Sequence, residues 1–384
     1  MPGMQFKSQI QKRKRGFKKM KISIDKSILW KALDQVSKVL STRTIIPVLS
    51  EILVVANENG LSLTGGDGNV FLRTKIAADD FQLLRPGSVT IPGRRFLEIV
   101  KKLKDVVDIV ADGTTIGIKS GRSQFEMVGM EAEEYPSFDE ELGQTVKITG
   151  QTLRELVSKT SFATYTKEDA AILTGLRLRS TEEGIEVTGT DRHRLSKTSG
   201  KSEGGYEFET VVGASALNEL IKIIPDKEKV NLSFYKGKFI VNTDSFVFTS
   251  LVLEGIYPDV DKITPTSFAS VVTVNTQKFI DALEGVDIFA KEQKTGLVKM
   301  KVGEEIELFS QTDKGKANEF VSIQELKGDE FGIAFNARFA LSALKSIDAK
   351  ETTINYTGRM SPFVIKGVGN ETDTHLILPY RTEV

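Results

Sequence analysis

The chain has 384 residues, 40% of them apolar and 27% charged, with a formal net charge of zero. That length exceeds one ordinary domain and points to two or three. The absence of cysteine removes disulfides, thiol nucleophiles and cysteine–zinc sites and suits a reducing compartment, and no apolar run approaches the roughly eighteen residues that a membrane-spanning helix needs.

Residues 1–19 carry Lys7, Lys12, Arg13, Lys14, Arg15, Lys18 and Lys19 with no acid, so residues 20–384 sum to −7. The segment lacks the apolar stretch of a signal peptide. It reads as a basic extension, expected to be disordered, with a nucleic-acid-binding arm as the other reading. Met20 before "KISIDKSILW" reads as a natural beginning.

From there one unit is written three times, and a repeat decides the fold. "ISIDKSILWKAL" at Ile22 returns as "VKITGQTLRELV" at Val146 and "VTVNTQKFIDAL" at Val272. In each, two apolar residues alternate along a short strand. Asp25, Thr149 or Asn275 follows as a helix N-cap, its side chain able to accept from orphan backbone N–H groups. Helical periodicity comes next, in Leu29, Leu33 and Val36, in Leu153, Leu156 and Val157, and in Phe279, Ile280 and Leu283. Each copy then shows a hairpin pattern with a turn signal at Asn59-Gly60, Glu183-Gly184 or Gly303. A second helix follows in "RRFLEIVKKLK", "SALNELIKII" and "RFALSALKSI", and more alternating strands close the unit. The stretch "MEAEEYPSFDEELGQ" between the first two copies has six acids and no base and reads as an exposed linker. The expected fold is α+β, three copies of one domain of two helices and roughly eight strands, at 20–140, 141–262 and 263–384.

The expected helices are charged unlike the rest. Residues 94–104 give +4 through Arg94, Arg95, Lys101, Lys102 and Lys104 against Glu98, and the six helices together give +8 in a body of −7. Either they face a polyanion or they are ordinary solvated helix faces.

Several motifs fail on inspection. "SGKSEGG" lacks the glycine a phosphate-cradling loop needs at Leu195. "TGGDGN" precedes no helix, and "NET" at Asn370 matters only on secretion. Two histidines far apart give no metal spacing, so no cofactor and no metal are expected. "TGTDRHRLS" at Thr188 holds Asp191, Arg192, His193 and Arg194, but no strand–helix elbow exposes a hydroxyl beside them. An aspartate recurs at the same hairpin end in the other copies, which favours architecture over catalysis.

"TGTDRHRLS", the triplicated unit, "SGRSQF" at Ser120, "SPFVIKG" at Ser361 and the terminal "LILPYR" together resemble the β sliding clamp family of bacterial DNA polymerase III, over Met20 to Arg381. The resemblance implies the DNA-clamp fold, with helices on the inner face, antiparallel sheets outside and two chains joined head to tail in a ring around duplex DNA. It implies a cytoplasmic, nucleoid-associated processivity factor without catalysis. Its partners would be itself, double-stranded DNA without sequence preference, the polymerase III catalytic subunit, the clamp loader, and other polymerases and repair proteins that carry short peptide motifs, with no membrane. Matching the family's peptide pocket are Leu173, Gly175, Thr190, Arg192, His193, Arg194, Leu195, Val230, Met360, Pro362, Leu376, Leu378, Pro379, Tyr380 and Arg381. His193 and Arg194 would orient the peptide backbone. Arg192 and the Thr382–Val384 tail are departures that bear on fine specificity. Arg43 and Lys167 match its DNA contacts, and Arg94, Arg95, Lys101 and Lys102 are added from the helix charges. Phe125 and Met127 match one side of the dimer contact. Ile288 and Phe289, after the first helix of the third domain, match the other. The competing readings are a hydrolase using Asp191 and His193, and a scaffold that never encircles DNA.

Overall fold

The computed structural model describes residues 19–41, 44–137 and 141–382. The element order repeats three times, with one extra strand between the helices of the first copy. The first copy runs β1 (Lys19–Asp25), α1 (Lys26–Ser37), β2 (Glu51–Asn57), β3 (Gly60–Gly66), β4 (Val70–Thr74), β5 (Phe81–Arg85), β6 (Gly87–Pro92), α2 (Gly93–Lys102), β7 (Val106–Asp112), β8 (Thr115–Ser120) and β9 (Ser123–Val128). The second runs β10 (Val146–Thr149), α3 (Gly150–Ser158), β11 (Gly175–Thr181), β12 (Gly184–Thr190), β13 (Arg194–Gly200), β14 (Phe208–Gly213), α4 (Ala214–Ile223), β15 (Lys229–Tyr235), β16 (Lys238–Asn242) and β17 (Phe246–Leu251). The third runs β18 (Ser270–Asn275), α5 (Thr276–Ala290), β19 (Leu297–Val302), β20 (Glu305–Thr312), β21 (Gly315–Lys327), β22 (Phe331–Asn336), α6 (Ala337–Ser346), β23 (Glu351–Tyr356), β24 (Phe363–Gly367) and β25 (Thr374–Ile377).

Each opening strand passes straight into its helix because the capping residue sits between them. Asp25 Oδ1 accepts from Ser27 N at 2.7 Å, Thr149 Oγ1 from Thr152 N at 3.1 Å, and Asn275 Oδ1 from Lys278 N at 3.0 Å. Each bond satisfies a donor that the first turn leaves orphaned. Behind the caps, the periodic apolar residues are buried, Leu29, Leu33 and Val36 in α1 and Phe279, Ile280 and Leu283 in α5. The third copy's core gathers α5 and α6 against its strands, with Phe335 and Phe363 tilted together at 5.1 Å.

The described residues fall into two compact units. One takes the chain up to Lys147 together with Lys222–Leu251, and the other takes Ile148–Ile221 and Val252 onward. The second copy is divided because its strands continue the sheets of both neighbours. In the first unit β17 pairs antiparallel with β4, Phe248 opposite Leu72. In the second unit β13 pairs antiparallel with β25, Leu195 opposite Leu376, inside a twelve-stranded sheet.

Two expectations are corrected. Helix α5 runs on to Ala290, so Ile288 and Phe289 lie in its last turns and not after it; the apolar face continues through buried Val286 and Ala290. The acidic stretch after β9 is not exposed throughout. Glu131, Glu133 and Glu134 are exposed, but Tyr135 among them is 6% exposed and packs with Val48 and Leu49. Net charge decides where the carboxylates go, and one large aromatic follows its own burial preference.

Candidate functional site

The turn from β12 to β13 is built on Asp191. Its Oδ1 accepts from His193 N at 2.9 Å and Arg194 N at 3.0 Å, and its Oδ2 accepts from Arg194 Nε at 2.9 Å. Thr190 Oγ1 donates to Arg194 O at 2.7 Å. The carboxylate is therefore spent on holding a tight Asx turn. The first copy does the same, as Asp67 Oδ1 accepts from Asn69 N and Val70 N at 2.9 and 2.8 Å. Arg192 has φ +74°, a left-handed conformation that its first-copy counterpart Gly68 adopts at +103°. Keeping an arginine there costs about 1 kcal/mol and points its side chain into solvent.

The neighbouring cation is built in as well. The Arg194 guanidinium lies 4.5 Å from the Phe339 ring centroid and 5.7 Å from that of Phe162, and the His193 ring stacks on Phe339 at 6.4 Å. Burial lowers the Arg194 pKa, and the Asp191 carboxylate works against that loss. Arg194 is thus packed between two aromatic rings, while His193 stays exposed. Phe162 and Phe339 are apolar residues of helical segments, with nothing in the sequence to separate them from core.

An apolar floor lies beside Arg194. Leu173, Leu195 and Leu376 are each 2% exposed, and Leu195 and Leu376 cluster with Val260 and Val364. Leu378 N donates to His193 O at 2.9 Å, which leaves the Leu378 side chain 38% exposed at the rim, with Met360 at 55%. Pro362, Pro379 and Tyr380 are half-buried and Arg381 is exposed. Tyr380 Oη donates to Thr295 O at 2.7 Å. A Cβ on Gly175 would lie 2.6 Å from Val211 Cγ1 and 2.8 Å from Leu253 Cδ1, so only glycine lets these strands approach. All these residues belong to the second unit. Val230 belongs to the first, where it is wholly buried on β15. Val260 was missed because it follows no strand or helix pattern. Of the tail, Thr382 N bonds Tyr380 O at 3.1 Å, and Glu383 and Val384 lie outside the described residues.

Arg94, Arg95, Lys101 and Lys102 all stand exposed on α2, and Lys167 is exposed before the segment that leads into β11. Arg43 and all of the basic extension but Lys19 lie outside the described residues. Phe125 is 38% exposed on the edge strand β9, whereas Met127 is 7% exposed and faces the core. Ile288 is 56% exposed, and the Phe289 ring lies so close to Gly315 that a Cβ there would meet it at 2.6 Å. Gly315–Ser322 of β21 pair with β20, and β18 takes up only Ile323–Lys327.

Three family descriptions match the chain in order: DNA polymerase III beta subunit, N-terminal domain, at residues 20–139; central domain, at 147–259; and C-terminal domain, at 261–381. The beta sliding clamp of Bacillus subtilis is 32% identical over 378 residues, covering 94% of this chain and all of that protein. That of Staphylococcus aureus is 30% identical over 375 residues, with 94% and 100% covered. The crystal structure of the Bacillus subtilis sliding clamp superposes with a TM-score of 0.91 at 31% identity, covering 95% of this chain and 100% of that one. A Pseudomonas aeruginosa sliding clamp bound to griselimycin reaches 0.88 at 25% identity, covering 94% and 100%.

Proposed function

The chain belongs to the DNA polymerase III beta subunit family and is a DNA sliding clamp, and from that premise we propose that two copies close into a ring around duplex DNA, through free strand edges that follow the rule of the chain's own seams. At each internal seam a strand after the first hairpin of one repeat pairs antiparallel with the last hairpin strand of the next, β4 with β17 and β13 with β25. The same rule leaves β9 of the first repeat and the first half of β21 of the third with an open side among the described residues. An exposed edge invites another strand, and joining these unlike edges twice closes a dimer without a leftover end. Phe125 on β9, and Ile288 with Phe289 beside Gly315, supply apolar area at the joint, and Met127 supports it from the core.

Inside such a ring, Arg94, Arg95, Lys101, Lys102, Lys167 and Arg43 would meet phosphates without reading bases, which permits sliding. The repeats at 20–140, 141–262 and 263–384 would be the clamp domains. The pocket around Leu173, Leu195 and Leu378 would receive short peptides of the polymerase III catalytic subunit, clamp loader and repair proteins. One buried Leu or Phe side chain contributes about 1.5–3 kcal/mol there. The chain would contribute tethering and leave chemistry to its partners, in the cytoplasm at the nucleoid.

The observation that carries this reading is the pair of unmatched edges. The test loads the protein on a nicked circular plasmid with its clamp loader and then linearises the plasmid. A ring stays on the circle and runs off the ends, so equal retention on both would refute encirclement.

A further inference from the structure

The seam between the first and second repeats is built on the same plan as the pocket-bearing seam between the second and third. Leu173 precedes β11 by two residues, as Leu49 precedes β2. Leu195 faces Thr190 across β12 and β13, as Phe71 faces Gly66 across β3 and β4. Leu378 N donates to His193 O, and Leu251 N donates to Asn69 O at 2.8 Å. Leu251 is 44% exposed, close to the 38% of Leu378. Floor and rim of the pocket thus have apolar counterparts in Leu49, Phe71 and Leu251. The third repeat has none, since Lys294 and Gly315, which carries no side chain, stand at the matching places.

The two seams differ in what fills them. The linkers that cross them carry matching Tyr-Pro pairs, Tyr135-Pro136 and Tyr257-Pro258. Tyr257 Oη donates to Thr188 O at 3.1 Å, with the Arg177 guanidinium 5.9 Å from its ring. Arg177 lies opposite Thr188, and in the first repeat Leu53 lies opposite Thr64. With leucine there, the first tyrosine lacks the counterpart of the Arg177 contact, although the Arg73 charge still acts on its phenol. It packs with Val48 and Leu49 against Leu53 and Phe71, and its hydroxyl is buried without a hydrogen-bond partner among the described residues. A phenol in a dry site with no acceptor is held for its ring alone.

We infer that the first seam holds a second, closed peptide pocket whose built-in ligand is the chain's own Tyr135, and that once vacated it takes the ligand class proposed for the Leu173 pocket, a short peptide presenting a Leu or Phe side chain. The inference rests on that peptide-pocket reading. It accounts for one open site per chain in a protein with three repeats: the second is open, the first is plugged and the third has lost its apolar floor.

The test uses the full-length protein, a fluorescein-labelled synthetic hexapeptide ending in Leu-Phe, and toluene as a side-chain surrogate. Wild type binds one peptide per chain, and the Tyr135→Ala variant binds a second. Adding Leu378→Asp to Tyr135→Ala removes the original site and leaves the new one. Toluene raises the melting temperature of Tyr135→Ala and not that of wild type, because a dry cavity binds an apolar solute. Tyr135→Phe keeps wild-type stoichiometry and loses no stability, because the hydroxyl it deletes has no partner. Tyr135→Val, run in parallel, keeps the toluene readout should the alanine variant not fold. One peptide per chain in both folded variants, with no toluene effect, overturns the latent site while the open pocket stands. No peptide bound to wild type, or loss of all binding in the double variant, overturns it as well, the first by sinking the pocket reading itself.

Discussion

His375 and Ser196 face each other across β13 and β25 with Asp373 two residues away, so the seam gathers a serine, a histidine and an aspartate. Their bonds assign them to packing. Ser196 Oγ donates to Lys159 O and lies 2.9 Å from His375 Nδ1, while Ser346 Oγ is 3.4 Å from Nε2. Asp373 is taken by Lys159 Nζ at 2.7 Å, Thr198 Oγ1 at 2.5 Å and Asn370 Nδ2 at 2.6 Å. Burial opposes its ionisation, yet the Lys159 and Thr198 donors hold its pKa below the usual range. His375 is 1% exposed, and burial holds its pKa down at about 4, with the Asp373 charge opposing and Lys159 assisting. The folded state therefore binds fewer protons than the unfolded chain between about pH 6.5 and 4. The stability from a neutral His375 is complete above the upper value and lost as pH falls through the lower one, up to about 3 kcal/mol in all. Chemical denaturation at stepped pH should show that decline in wild type and a flatter profile in His375→Gln. Equal slopes would mean that the imidazole is not the titrating group.

At the scale of elements, β9 and β21 decide whether the chain assembles. Phe125→Asp with Ile288→Asp places one carboxylate on each side of the proposed joint and leaves the buried Met127 alone. Light scattering should find wild type at twice the chain mass and the double variant at the chain mass, with unchanged circular dichroism; a variant that remains dimeric would place the joint elsewhere. These elements differ in how far the sequence discloses them. Strand–cap–helix starts are local, so Asp25, Thr149 and Asn275 are legible from the few residues on either side of each. The end of α5 is not, because Glu284 and Asp287 break the polar–apolar rhythm in a helix that continues for packing. The turn at Asp191 was legible from its two echoes, and the apolar floor from the family resemblance. Phe162, Phe339 and Val260 were not, because what marks them is contact with residues far along the chain: Phe162 and Phe339 flank Arg194, and Val260 packs on Leu195 and Leu376. Tyr135 was hidden by its six acidic neighbours.

At the scale of the molecule, an overall charge of zero conceals a division of labour. Helix α2 carries Arg94, Arg95, Lys101 and Lys102 exposed, and the last two stand in its final turn, where the helix dipole favours cations. Arg94 has one carboxylate near it, Glu98 at 3.6 Å, but its side chain is 95% exposed, and such a pair is worth little in water. These cations remain available to phosphates, and each one neutralised on DNA releases condensed counterions. Binding to a short linear duplex isolates this term, because open ends remove topological retention. Replacing the four residues by alanine should lower the slope of log affinity against log salt by up to about 3.6, roughly 0.9 per lost phosphate contact, equally on unrelated sequences. Peptide binding at the Leu173 pocket should not change, since none of the four lies in its unit. An unchanged slope would mean that α2 does not face the duplex, and the cations that hold it would then have to be sought on the other helices.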